Sequence, residues 1–309
     1  MSEFEWIARY FAPLVKTERA ADLLDDVAQL SGRAQIITTD ALVEGVHFLP
    51  TDPIDTVARK LVRVNVSDII AKGARPDEAV LTLGWPRGRD EAQLAAFASA
   101  LGEELDHWGA NLIGGDTVAS PDGLFISLTL TGAHGDTERV LRRSGAKPGD
   151  DIWVTGTIGL GGQGLADAKS GRDTPARAHY RVPDIPPLSL TRSLQAYAGA
   201  AMDISDGLIG DLQKLCAASN FGANLKLEAV PISGGARAKA SVPDILAACT
   251  AGDDYQCLFT APKAARNALA RDEMGFAHIG VMTAESGVRA SFHETAVELP
   301  KKVGFEHKT

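Results

Sequence analysis

Apolar residues recur at helical spacing from the start of the chain, where Phe4, Ile7, Ala8, Phe11 and Leu14 predict an amphipathic helix. The β-branched run QIITT within 34–39 predicts a strand that terminates at Asp40. A second helix is expected after Pro53, with Val57, Ala58, Leu61, Val64 and Ile69 as its apolar members. GARP, with Gly73 and Pro76, stops it, and AVLTLGW predicts the next strand. From Asp90 to Trp108, Leu94, Phe97, Ala98, Leu101, Leu105 and Trp108 share one helical face. NLIGGDT predicts a short strand running into a glycine turn. LFISLTLTG alternates cleanly, with Leu124, Ile126, Leu128 and Leu130 on one side.

RRSGAKPGD is basic, polar and Gly/Pro-containing, and it marks a boundary between domains at 1–142 and 143–309. The pattern restarts with the strand DIWVTG and a Gly-rich turn into a helix. After the Pro-rich VPDIPPLS come helices, then AMDISDGL opening a helix through Leu212, Leu215 and Cys216. ANLKLEAV, YQCLFTA, HIGVM and VRASF predict further strands. Both halves mix strands with helices, so the expected class is α/β (α+β), with mixed sheets flanked by helices.

Composition narrows the function. A length of 309 residues suits two domains, and 45% apolar content describes a globular chain. The balance of 31 Lys+Arg against 40 Asp+Glu disfavours a nucleic-acid binder, which needs a basic surface. Three cysteines at irregular spacing form neither a disulfide framework nor a CxxC zinc site. No signal peptide opens the chain and no stretch nears the ~18 apolar residues of a membrane span, so a cytoplasmic protein without membrane contact is expected. Within the acids, 25 Asp outnumber 15 Glu. Asp favours caps, turns and hard-cation sites over long helices.

The chain has no GxxxxGK[ST], GxSxG or HExxH. Gly159-Leu-Gly161-Gly-Gln-Gly164 fits GxGxxG after a strand, but the acid at the required distance, Asp184, sits in VPDIPP, which is no parallel interior strand. Tight helix–strand packing, or backbone approach to some other phosphate, is the simpler reading of these glycines. The aspartates form the stronger pattern. Asp25-Asp26 is a doublet, Asp40 follows Thr38 and Thr39, and Asp116 follows Gly114-Gly115. Asn65 and Asp68 fall on the core-directed face of Leu61, and Asp203 and Asp206 flank Ser205. Taken singly, such aspartates are ordinary caps and turn formers, Asp206 before GLIGDL among them. Together, TTD, NVSD, GGDT and DISD are oxygen-only constellations. Converging carboxylates repel unless cations neutralise them, and oxygen ligands suit Mg2+ shared with substrate phosphates. A multi-Mg2+ nucleotide site without a P-loop follows.

TTDALVEGVHF (38–48), NVSDIIAKGARP (65–76), GGDT (114–117), RSGAKPGDDIWVTGTIG (143–159), MDISDGL (202–208) and GDDYQCLF (252–259) occur in the order seen in thiamine-monophosphate kinases. The chain resembles that family over nearly its whole length, including ARYF near the start and GFEH near the end. The resemblance implies a two-domain aminoimidazole ribonucleotide synthetase-like fold, ATP and several Mg2+ ions in the cleft, thiamine monophosphate as acceptor, and a homodimer formed through the N-terminal sheets. It implies metal ligation by Asp26, Thr38, Thr39, Asp40, Asp68, Asp116, Asp203 and Asp206. Nucleotide contact falls to Gly115, Asp116, Arg143 and Ser205, and substrate contact to His47, Asp253 and Phe305. No general base is assigned, because a phosphate acceptor is already anionic.

Three positions depart from the family's pattern. Leu23-Leu24-Asp25-Asp26 stands where GxGDD is usual, Asp253 where Glu is usual, and the helix over 90–108 lacks a clear adenine-stacking aromatic. Among alternatives, selenophosphate synthetases generally use an N-terminal Cys or Sec, whereas the first cysteine here is Cys216. Aminoimidazole ribonucleotide synthetase carries a DGVGTK-type element in place of TDALVEGVHF. A non-catalytic scaffold would not keep a costly carboxylate set, and a dehydrogenase rests only on GxGxxG.

Overall fold

The computed structural model describes residues 24–30, 35–135, 139–232 and 240–305. The helix expected over Phe4–Leu14 lies outside them, as do Glu306 and His307 of GFEH.

Residues 28–133 build a five-stranded sheet. Its strands are β1 (Ala28–Gln29), β2 (Gln35–Val43), β3 (Arg75–Pro86), β4 (Asn111–Ser120) and β5 (Phe125–Ala133), in the order β1-β2-β5-β3-β4. Only β3 and β4 pair in parallel, joined through helix α2 (Glu91–Trp108). Asp90 caps α2 by accepting from the Ala92 amide, and Gly109 ends it at φ 73°. The alternation of β5 holds: Ile126, Leu128 and Leu130 are buried.

Two strand expectations are corrected. Asp40 does not end β2, because Ala41–Val43 continue the antiparallel ladder with β5, Val43 opposite Phe125. GGDT is no turn either: Gly114, Gly115 and Asp116 lie inside β4, held by parallel pairing with Val80, Leu81 and Thr82. A side chain at Gly115 would meet the Leu81 carbonyl oxygen at 2.3 Å, so the glycine permits strand approach rather than a bend.

The second sheet carries β6 (Asp151–Val154), β7 (Ala201–Ile204), β8 (Gly222–Lys226), β9 (Gln256–Ala261), β10 (Ala277–Thr283), β11 (Gly287–Phe292) and β12 (Thr295–Val297). Their order is β12-β11-β8-β10-β6-β9-β7, with β8–β11 the one parallel pair in it. Helix α1 (Ile54–Ala71) lies between the two sheets, touching β2 and β5 on one side and β7 and β9 on the other. It is therefore buried on nearly every face. Around the second sheet stand α3 (Leu160–Ser170), α4 (Pro175–Arg181), α5 (Leu190–Tyr197), α6 (Leu208–Ser219), α7 (Val242–Cys249) and α8 (Arg266–Leu269). The sequence reading did not single out α7, although Ser241 and Asp244 form a capping box at its start. Among the described residues no helix is long and apolar enough to cross a membrane.

Candidate active site

The polar residues buried on α1 organise the site. Asn65, Ser67 and Asp68 cannot reach solvent, so each finds a partner on a neighbouring element. Asn65 Oδ1 accepts from the Asp40 amide at 3.1 Å, fixing β2. Thr38 Oγ1 donates to Asp68 Oδ2 at 2.6 Å, and Ser67 Oγ donates to Asp203 Oδ2 on β7 at 2.9 Å. The loop before β1 adds Asp26, whose backbone oxygen lies 3.2 Å from Thr38 Oγ1. One carboxylate oxygen each from Asp26, Asp68 and Asp203 then lies within 4.8 Å of the other two.

Such crowding shifts the titrations. Burial, then the charges of nearby carboxylates, push Asp68 and Asp203 well above the ordinary range. Burial with the charges of Asp26 and Asp206 lifts Asp40 to about 6. Burial works the same way on Asp26, but Arg143 and Lys72 outweigh it and hold that group at about 2. An all-oxygen set that resists ionisation together is the donor chemistry of a hard divalent cation.

Asp40 also lines a cavity of about 590 Å³, a size suited to a small-molecule substrate. Ser205, Asp206, Asp253 and Phe305 share its wall with His47. His47 stands in a turn between Glu44 and Phe48, and its Nδ1 accepts from the Val43 amide at 2.9 Å. Asp206 is not the cap of α6. Asp211, fully buried, takes that place by accepting from the Asp206 and Gly207 amides, and Lys214 pairs with both carboxylates.

Lys60 joins the two halves of this cavity. Its side chain is 1% exposed, and Nζ donates to the His47 carbonyl at 3.0 Å and to Asp253 Oδ2 at 3.1 Å. The same ammonium lies 4.4 Å from the centroid of the Tyr180 ring. Asp253 and Tyr255 adopt left-handed backbone at φ 68° and 48°, an unfavourable conformation held from outside. Between them Asp254 is fully buried and accepts from the Gly159 and Gly161 amides at 2.8 and 3.0 Å. Burial, opposed by those amides, lifts its pKa to about 7.

That contact explains the glycine motif. β6 runs antiparallel to both its neighbours, so no dinucleotide βαβ unit exists here. The start of α3 receives the Asp254 carboxylate. A Cβ at Gly161 would come within 2.4 Å of the Gly252 and Asp253 carbonyl oxygens. Gly161→Ala is expected to cost about 1–3 kcal/mol, read as a lowered thermal midpoint. An unchanged midpoint would contradict the packing role.

The structure thus brings Asp26, Thr38, Asp40, Asp68 and Asp203 together, with Ser205, Asp206, His47, Asp253 and Phe305 around the adjoining cavity. Arg143 is engaged with Asp26 and with the Leu24 carbonyl. Thr39 points from the other face of β2, where its hydroxyl meets the Leu128 carbonyl and Thr129. Gly115 and Asp116 are distant. Asp116 pairs with Thr82, Thr82 with Ser127, and Ser127 with Ala41, so three strand spacings, about 14 Å, separate it from β2. Sequence reasoning missed Lys60, Tyr180, Lys72, Asp211 and Asp254. Lys72 alone carried a usable signal, four residues after Asp68 on the same helical face.

Comparison with known proteins agrees with this fold. Residues 24–134 match the family described as AIR synthase related protein, N-terminal domain, and residues 147–293 match its C-terminal domain. Thiamine-monophosphate kinase of Caulobacter vibrioides is 38% identical, over 99% of this chain and 91% of its own. The enzyme of that name from Escherichia coli K12 is 40% identical over 90% of this chain and 87% of its own. A solved structure described as AaThiL complexed with AMPPCP and TMP superposes with a TM-score of 0.85 at 29% identity, covering 99% of this chain and 97% of that one. The chain belongs to the thiamine-monophosphate kinase family of AIR synthase related proteins.

Proposed function

We propose that this chain is a Mg2+-dependent kinase that transfers the γ-phosphoryl group of ATP directly to thiamine monophosphate, giving thiamine diphosphate and ADP. One observation carries the reading: three converging buried carboxylates adjoin a cavity of about 590 Å³, with Asp40 belonging to both. The related structure described with AMPPCP and TMP supports the same pair of substrates.

Asp26, Asp40, Asp68 and Asp203 would hold the metal ions, with Thr38 orienting Asp68. Bound Mg2+ neutralises phosphate charge during transfer. Arg143 and Ser205 would face the nucleotide, and Asp206 would add a carboxylate at the cavity end of the cluster. His47, Asp253 and Phe305 would seat the acceptor, whose cationic thiazolium ring suits an acidic and aromatic wall. The acceptor phosphate is its own nucleophile, so positioning and charge compensation do the work and no side chain need take a proton.

The test compares acceptors. Active, folded protein with ATP and Mg2+ should form thiamine diphosphate from thiamine monophosphate and nothing from free thiamine. Absence of thiamine diphosphate would sink the reading.

We also propose a homodimer built through the first sheet. Leu112, Ile113 and Val118 on β4 are half exposed or more, with Val80 and Phe125 beside them, an apolar surface awaiting cover. Such a contact is the route by which Gly115, Asp116 and Thr39 would meet a second copy. Twice the 32.6 kDa chain mass is expected in sedimentation. Ile113→Asp with Val118→Asp should give a folded monomer of much reduced activity; a fully active monomer would contradict this. The division into 1–142 and 143–309, and a cytoplasmic home for an ATP-using enzyme with three free buried cysteines, complete the proposal.

A further inference from the structure

Lys72 caps the C-terminal end of α1, and its side chain is wholly buried. Its ammonium is held by one backbone carbonyl and by ion pairing with two carboxylates. Nζ lies 2.9 Å from Asp25 Oδ1, touches Asp26 Oδ2, and donates to the Ala201 carbonyl at 2.7 Å. Arg143 holds the other oxygen of Asp26, and its own amide donates to Asp25 Oδ2 at 3.1 Å. The acidic doublet, which here lacks the flanking glycines of the family's pattern, therefore sits between two protein cations.

We infer that Lys72 is a resident counter-cation of the carboxylate cluster: a positioning residue that fixes the Asp25–Asp26 doublet and supplies there positive charge that a divalent cation would otherwise bring. This rests on the reading of the cluster as the metal site. The geometry divides that site in two. Asp25 and one side of Asp26 face the ammonium, while Asp68 and Asp203 take hydroxyl donors, Thr38 and Ser67, Asp68 also meets Asp40, and neither has a lysine or arginine within salt-bridge reach among the described residues. Asp68 and Asp203 then pull most strongly on exchangeable metal, and Asp26 is a ligand weakened by the cations it already faces. Lys72 opposes metal at the doublet by direct repulsion, because fixed positive charge a few ångströms away weakens cation binding in a poorly solvated site. It also lets the cluster fold before any metal arrives, since unpaired buried carboxylates are costly.

The test is a Mn2+ titration of the full chain without nucleotide, followed by the electron paramagnetic resonance of free Mn2+. It uses wild type, Lys72→Met, and Lys72→Met combined with Asp25→Asn, which removes one positive and one negative charge together. Lys72→Met should bind Mn2+ roughly tenfold more tightly or take up an additional ion. Its metal-free thermal midpoint should fall and recover with Mn2+. The double variant should return towards wild type in both readings. Equal affinity and stoichiometry in wild type and Lys72→Met would overturn the inference alone. Wild type binding no Mn2+ would overturn the metal reading and this inference with it. Should Lys72→Met fail to fold without metal, recovery of the fold by the double variant supports charge compensation, and equal failure of both overturns it.

Discussion

Asn in place of Asp203 is expected to lower kcat/KM by roughly 10³-fold, about 4 kcal/mol of transition-state stabilisation. The metal-free protein should at the same time become more stable at pH 8. Both effects have one cause. Asp203 is buried beside Asp26, within reach of the charges of Asp211 and Asp40, and its carboxyl strongly prefers the neutral form. The amide mimics that form and still accepts from Ser67, so it relieves repulsion while removing the charge a metal requires. The wild type should show the same tension with pH. Asp40 titrates at about 6 in the fold against an ordinary 3.8, so the native state binds the extra proton between those values. Its contribution is complete below 3.8 and is lost as pH rises through 6. Mg2+ should reverse the trend, because binding needs the ionised carboxylates. Unfolding midpoints with and without Mg2+ across this range, beside steady-state kinetics, check each part. A less stable metal-free Asp203→Asn, or one with wild-type kinetics, would contradict the account.

Lys60→Met should weaken both the fold and acceptor binding. Removing one partner of a buried ion pair costs about 3–5 kcal/mol, and because Asp253 keeps 28% exposure the lower end is expected. Methionine fills the space against Tyr180 but leaves the His47 carbonyl without its donor and Asp253 with Tyr255 alone. Asp253 then loses one of its two side-chain contacts, while its amide still donates to the Ser205 carbonyl at 2.9 Å. The KM for thiamine monophosphate should rise more than tenfold while the KM for ATP moves little. Equal changes in both constants would show that Lys60 acts only through overall stability. The denaturant midpoint, measured in parallel, separates that case.

The periodicity of α1 and α2, the alternation of β5 and the strands of the second sheet were readable because each buries one face or is buried throughout. β4 was misread because glycines signal a turn in isolation, and only the parallel partner β3 shows that they serve strand approach. Asp40 appeared as a strand terminus for a similar reason: a charged residue inside a strand makes sense only once Asp68 and Asn65 stand opposite. The metal-type aspartates were visible as repeated hydroxyl–aspartate motifs. The cations among them were not. Lys60 looks like an ordinary helix-surface lysine, and its role arises from α1 being enclosed between two sheets, a tertiary fact with no local pattern; Lys72 offered only its spacing from Asp68. Asp254 was hidden likewise, since its partners are the amides of a glycine turn some 90 residues away.

The central claim is that the buried carboxylates on α1, β7 and the loop before β1 hold the metal that serves phosphoryl transfer. Its most direct test is the anomalous scattering of Mn2+ in crystals of this protein grown with a non-hydrolysable ATP analogue. Anomalous peaks should lie against the carboxylates of Asp68 and Asp203, between them and the nucleotide phosphates, with Lys72 still on Asp25. Peaks elsewhere in the cleft, with Asp68 and Asp203 still bound only to Thr38 and Ser67, would contradict it.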